Sequence, residues 1–272
     1  MPAKLFCSPQ VPEGLIFNGD TIAIYSLPSE GMPENYEKAI FKFIDDSDNP
    51  IMYGTSNWRG YQGIWTVEDD KLFMTGVLGY DNSIMNHAFG KLAEDGKVFA
   101  SWFTGTIIIP KGILLRWDHL WDHIYEKELI LTFQNGKLIS EDIVDNYKSV
   151  EGGISRHAKW ADEGYYIGSR LQYEILPKFN AVDWSKFDEF DVPDEPYIIT
   201  IGADGKVISV KCEFADNEEK EESYSEQLKI VNQIVRDLKF DVIYSHGEPY
   251  EEKVYLNLSY DSNTHTMSLS DY

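Results

Sequence analysis

The strongest constraint on the fold is a repeated local pattern, in which short apolar runs are joined by turns too tight for anything but a β-hairpin. Gly14-Leu15-Ile16-Phe17 and Thr21-Ile22-Ala23-Ile24-Tyr25 flank Asn18-Gly19, a pair that accepts the positive φ such a turn demands. Ile64-Trp65-Thr66-Val67 and Leu72-Phe73-Met74-Thr75-Gly76-Val77-Leu78 flank Glu68-Asp69-Asp70. Glu126-Lys127-Glu128-Leu129-Ile130-Leu131-Thr132-Phe133 and Lys137-Leu138-Ile139-Ser140 flank Asn135-Gly136. Between them, Val98 to Ile109 is rich in β-branched and aromatic residues and is read as one or two strands closed by Pro110-Lys111-Gly112, with Ile113 to Trp117 as the next strand. The spacing predicts an antiparallel sandwich or barrel-like sheet. Phe41 and Phe43 flank Lys42 and tilt Glu37–Asp45 towards strand, Asn82 to His87 is a looser segment, and Tyr147 to Gly168 is loop with short elements.

The second half follows a different order. Between Asp183 and Glu195 stand six acids and one lysine, with prolines at 193 and 196, the composition of an exposed connector. Trp184, Phe187 and Phe190 within it are able to dock on a domain. Beyond it, Pro196 to Ile201 and Lys206 to Cys212 form a hairpin about Gly202-Ala203-Asp204-Gly205. Ser223 with Glu226 is a capping-box signature, and Leu228, Val231, Ile234, Val235 and Leu238 share one face of the helix that follows. Lys253 to Tyr260 alternates as a strand. The expectation is an α+β protein: a mainly antiparallel β domain over 1–180, an acidic linker over 181–195, and a small β-β-α-β domain over 196–272.

Composition narrows the function. In 272 residues there are 46 acids against 24 bases, a net charge of -22 that repels phosphate backbones and excludes nucleic acid as a partner. The same charge suits a basic protein partner, and it also keeps a chain soluble with no partner at all. Cys7 and Cys212 are far apart and read as thiols, giving neither a disulfide framework nor a zinc site. No apolar run is long enough to span a bilayer, and the sequence as it stands reads as cytoplasmic; a trimmed leader would make it periplasmic or lipid-anchored.

Two stretches carry candidate site residues. Asn57 to Trp65 packs Trp58, Arg59, Tyr61 and Trp65 with Gly60 and Gly63. Flat aromatic rings and a guanidinium fork are the chemistry of recognition surfaces, while the same residues also serve as the core aromatics of a β domain. Trp117 to Glu126 holds His119 and His123, each preceded by an aspartate. On a helix that spacing suits a shared metal, with His87 as a third ligand; on a strand it leaves the side chains about 13 Å apart. Trp58, Arg59, Tyr61, Trp102, His119, Tyr125 and Glu126 form the candidate binding set, on loops or strand ends of one domain. No nucleophile elbow or phosphate loop is present, and no cofactor is expected.

Two resemblances add to this reading. Ala203-Asp204-Gly205-Lys206-Val207, the helix end at Leu238-Lys239-Phe240, and Gly247-Glu248-Pro249 leading into Val254-Tyr255-Leu256-Asn257-Leu258 resemble the C-terminal domain of TonB-type energy transducers, which implies a protein-binding module. The tryptophan region that follows the helix in that family reads Phe240-Asp241 here. The segments Leu15 to Thr21, Trp58-Arg59-Gly60-Tyr61, Val98 to Gly105, Ile109 to Leu115 and Tyr125 to Leu129 resemble an uncharacterised bacterial family common in Bacteroidetes, which implies a bacterial source and no particular activity. The functional expectation is a non-enzymatic protein-binding module, in one version an immunity-type protein that binds a basic toxin. The alternative is a metal-dependent hydrolase centred on His119 and His123.

Overall fold

A computed structural model describes residues 11–47, 56–57, 59–117, 122–157, 169–187, 197–212, 225–256 and 258–269. The protein is mixed α+β and mostly strand, with open sheets. The chain groups into two compact units, Met1–Gly112 with Trp117–Val144, and Ile113–Arg116 with Asp145–Tyr272.

In the first unit the expected hairpins form. Strands β1 (Glu13–Phe17) and β2 (Asp20–Ile24) turn at Asn18 and Gly19, both at positive φ. β3 (Gly63–Glu68) and β4 (Lys71–Val77) turn at Asp69 and Asp70, also both left-handed. Such turns match the right-handed strand twist, and Asn, Asp and Gly are the residues that tolerate them. The rest of the sheet is β5 (Val98–Phe99), β6 (Gly105–Trp117), β7 (His123–Gln134) and β8 (Lys137–Asp145), in the order β2-β1-β3-β4-β8-β7-β6 with β5 on β4. β1 and β3 pair in parallel, an exception within the mainly antiparallel sheet.

Three further expectations are corrected. Glu34–Asp45 is a helix, α1, where the Phe41/Phe43 alternation suggested a strand. Pro33 precedes its first turn, Glu34 and Glu37 lie in that turn, and buried Ile40 and Ile44 recur at four-residue spacing on one face. The segment through Asn82 and His87 contains a helix, α2 (Ser83–Phe89), with Ile84, Met85, Ala88 and Phe89 buried. Nor does Pro110-Lys111-Gly112 close a strand, because β6 runs through it. Proline lacks an amide donor and is tolerated there since β6 ends the sheet, and Gly112 absorbs a φ of 76°. The core lies between this sheet and the helices, with Leu15, Trp65, Met74, Ile107 and Phe133 meeting Ile40, Ile84 and Phe89 in one cluster.

In the second unit, β9 (Tyr147–Lys148) and α3 (Ser169–Asn180) precede β10 (Tyr197–Ile201), β11 (Val207–Cys212), α4 (Ser225–Val235), β12 (Val242–Ser245), β13 (Glu248–Pro249), β14 (Glu252–Leu256), β15 (Leu258–Asp261) and β16 (Thr266–Leu269). β10 sits between β11 and β14, antiparallel to both, and β12 and β13 intervene between α4 and β14, where the expected β-β-α-β order has a single strand. β12 pairs with β9 and β13, and β15 with β16; the single strand expected over 253–260 is therefore two. Val231 and Val235 are buried on the expected helix face, and Leu238, also buried, lies past the end of α4, while Ser223 of the capping box lies outside the described residues. Cys212 is buried at the end of β11, and Cys7 lies outside the described residues. In the expected linker, Trp184 is 1% exposed and donates its indole N–H to the Phe179 carbonyl at 2.7 Å. Phe187 packs beside it, and both join the second unit's core with Ile154, Ile175 and Phe179.

Glycine is required for different reasons at two of the turns. A Cβ on Gly19 meets nothing within 4 Å, so only its positive φ matters; a Cβ on Gly136 lies 2.5 Å from the Ala100 carbonyl oxygen. Gly19→Ala is expected to cost about 1 kcal/mol from backbone strain, and Gly136→Ala about 1–3 kcal/mol more from the collision. Urea unfolding of the two variants checks this, and equal losses would show that the close approach at Gly136 carries no weight.

Candidate functional site

The dense stretch 57–65 is organised by a residue outside it. Glu13, the first residue of β1, is buried. Its Oε1 accepts the Ser29 hydroxyl at 2.7 Å and the Arg59 guanidinium, and its Oε2 accepts the Trp65 indole N–H at 2.5 Å. Arg59 also donates to Ser29 Oγ at 2.9 Å. Trp102 is half-buried, donates its indole N–H to the Pro28 carbonyl at 3.0 Å, stands edge-on to Trp65 and stacks on Phe89. Tyr61 is fully buried against Phe41. Arg59, Tyr61 and Trp102 thus belong to one interior neighbourhood, and Trp58 lies outside the described residues.

Burial pushes the Glu13 carboxyl above the ordinary glutamate range; Arg59 pulls the other way and does not overcome it. Burial likewise drives the Tyr61 phenol above the usual tyrosine range, with Glu13 and Glu37 pushing in the same direction. Both carboxylate oxygens of Glu13 are occupied from within the protein, so the cluster works as an interior polar lock.

Tyr125 and Glu126 sit elsewhere in the first unit. His123 opens β7, is 9% exposed, and lies flat against Tyr25 at 3.8 Å between ring centroids. Trp117 and Tyr125 stack at 5.5 and 6.3 Å from the same ring. The Tyr125 amide donates to the buried Glu128 carboxylate at 2.9 Å, and the Glu126 carboxylate lies over Gly112. His119 lies outside the described residues, and among those described no three His, Cys, Asp or Glu side chains meet in a metal-holding group. His87 is on α2, its ring 5.3 Å from that of Phe43.

A buried charge cluster also lies in the second unit. Glu252 on β14 receives the Arg116 guanidinium through two nitrogens and that of Arg156 through a third. Asp241 accepts the Tyr147 hydroxyl and the Val150 amide. Burial pushes Glu252 up, yet Arg116 and Arg156 together outweigh it and hold the carboxyl below the ordinary range.

The feature that sequence reasoning passed over is the far part of β8. Ile139 is 60% exposed and Ile143 79%. Leu138 packs on the core, so alternation puts Ile139, Glu141 and Ile143 together on the opposite face. β4 pairs with β8 only at Lys71 and Lys137, and beyond the hydrogen bond from the Leu138 amide to the Asp70 carbonyl no described strand meets that edge. The signal was in the sequence, as Ile139-Ser140-Glu141-Asp142-Ile143 spaces two isoleucines about an acid at strand period.

Comparison of the chain with protein-family models, with curated proteins and with solved structures finds no match in any of the three.

Two outcomes follow from the buried groups. The Tyr61 hydroxyl is buried with no hydrogen-bond partner of normal geometry among the described residues, so Tyr61→Phe is expected to leave stability unchanged or raise it by about 1 kcal/mol; thermal unfolding decides, and a large loss would show that the hydroxyl is engaged. For pH, Glu13 binds its proton more tightly folded than unfolded, so its contribution is complete below the ordinary value of 4.5 and is lost as pH rises through the raised value. Glu252 has the opposite sign: its contribution is present above 4.5 and lost as pH falls. In denaturant unfolding across pH, Glu13→Gln is expected to remove a loss of stability on the alkaline side of 4.5, and Glu252→Gln a loss on the acid side.

Proposed function

We propose that this chain is a non-enzymatic binding protein whose partner is another protein presenting a basic surface. The observation that carries the reading is the pair Ile139 and Ile143, left in solvent on a regular strand with Glu141 between them and Asp142 and Asp145 beside them. Burying two such side chains is worth roughly 1.5–3 kcal/mol each, set against the cost of association. Apolar anchors flanked by charge give both affinity and a preference for partners of opposite sign. The net charge of -22 acts the same way at longer range, drawing basic partners in and weakening with salt.

The interior clusters support a binding reading over a catalytic one. Glu13 is committed on both oxygens, and Glu252 is held by two arginines. These groups hold backbone segments together and are not open to a ligand, whereas Ile139 and Ile143 are exposed.

The test is affinity capture with the tagged full chain from a lysate of the organism that encodes it, beside an Ile139→Ser/Ile143→Ser variant. Both positions are exposed, so the variant is expected to keep wild-type stability to within about 0.5 kcal/mol. The expected result is one basic protein retained by the wild type, released by salt, and absent from the variant. A partner kept equally by both forms would remove β8 from the binding site.

A further inference from the structure

Resting on the reading of this chain as a protein-binding module, we infer that β8 takes an extended basic segment of its partner as an added antiparallel strand, in register about Glu141. The backbone supplies the first argument. The Leu138 amide points to the open side of β8, where it meets the Asp70 carbonyl. Strand geometry alternates, so the N–H and C=O groups of Ser140, Asp142 and Val144 point to that side as well. Among the described residues no backbone group meets them. A run of unpaired strand edge is a template for another strand unless charge, proline, a bulge or a covering element blunts it. β6 is blunted by Pro110 and the positive φ of Gly112, whereas β8 has neither proline nor a left-handed residue between Leu138 and Asp145.

The side chains supply the second argument, because they say what the added strand carries. Ile139, Glu141 and Ile143 share one face, and on the open edge they are the residues whose cross-strand neighbours approach most closely. The complementary strand is apolar, then basic, then apolar at every second position, with a further basic residue on the other face opposite Asp142. A second copy of this chain satisfies only part of that pattern. Antiparallel self-pairing about Glu141 sets Ile139 against the copy's Ile143, but it also sets Glu141 against Glu141 and brings together two chains of charge -22. Like charges directly opposite are destabilising, so a basic segment is favoured over self-association.

The test uses the full chain and a labelled peptide, Thr-Ile-Lys-Arg-Thr-Ile-Thr, read by fluorescence anisotropy. In the inferred register its arginine faces Glu141 and its lysine Asp142. The basic peptide is expected to bind. Affinity is expected to fall about tenfold or more with Ile139→Ser/Ile143→Ser, with Ser140→Pro, and with a twin peptide carrying glutamates at the two basic positions. N-methylation supplies a check that leaves the protein untouched. Methylating the lysine and the second threonine, whose amides face β8, is expected to abolish binding, and methylating the arginine, whose amide faces away, to spare it.

Equal binding of the acidic twin, or indifference to which amides are methylated, would overturn strand addition. So would a stable dimer in sedimentation that Ser140→Pro dissociates, since a second copy would then hold the edge. If the peptide fails while the lysate partner is still lost with Ile139→Ser/Ile143→Ser, strand addition falls and protein binding stands; if both fail, both readings fall.

Discussion

Glu13 is the carboxylate on which the middle of the first unit depends. A charge-bearing group in an apolar interior persists only when every lone pair is met, and removing a partner is far more damaging than the pair is stabilising. Here the donors come from three places in the chain: Ser29 before α1, Arg59 ahead of β3, and Trp65 within β3. Satisfying one carboxylate therefore fixes how three segments enter the core. It also explains why a tryptophan as large as Trp65 is wholly buried, since its indole N–H has an acceptor waiting. Glu252 does the equivalent work in the second unit by taking Arg116 and Arg156 together. The two carboxylates differ in the balance of forces: one arginine does not offset the desolvation of Glu13, and two do so for Glu252.

Once those groups are assigned to the interior, the exposed chemistry of the first unit stands out by contrast. Apolar residues on the surface are ordinary when scattered. Ile139 and Ile143 differ because they share a strand face, alternate with acid, and border an edge that β4 leaves after a single residue pair. The acids act in two ways, discouraging identical strands from pairing and favouring a strand of opposite charge.

What the sequence made legible was local. Asn18-Gly19, Asp69-Asp70 and Asn135-Gly136 encode their turns within two residues, and all three hairpins were readable. The face of α4 was readable from Val231 and Val235 for the same reason. The misreadings came from windows set too narrowly or pairings set too far apart. Reading α1 from Glu37 omitted Pro33 and Glu34, and the Phe-Lys-Phe within the window looked like alternation. The parallel pairing of β1 with β3 joins residues some fifty positions apart, as Gly14 with Ile64, and leaves no mark in either strand alone. The site residues divide likewise: Arg59, Tyr61 and Trp102 do come together, but about Glu13 and Ser29, which no local pattern distinguishes from other acids and serines. Tyr125 belongs with His123, whose ring is flanked by neighbours as distant as Tyr25, and Glu126 lies over Gly112.

Pro110 and Gly112 on β6 bear on stoichiometry. A sheet open on two flanks is the start of a polymer, since each added strand exposes a new one. Here one flank ends in a strand with a missing donor and a left-handed residue, so growth from that side terminates. A strand added at β8 would then find no second template on the β6 side of the same sheet, which limits growth through that flank.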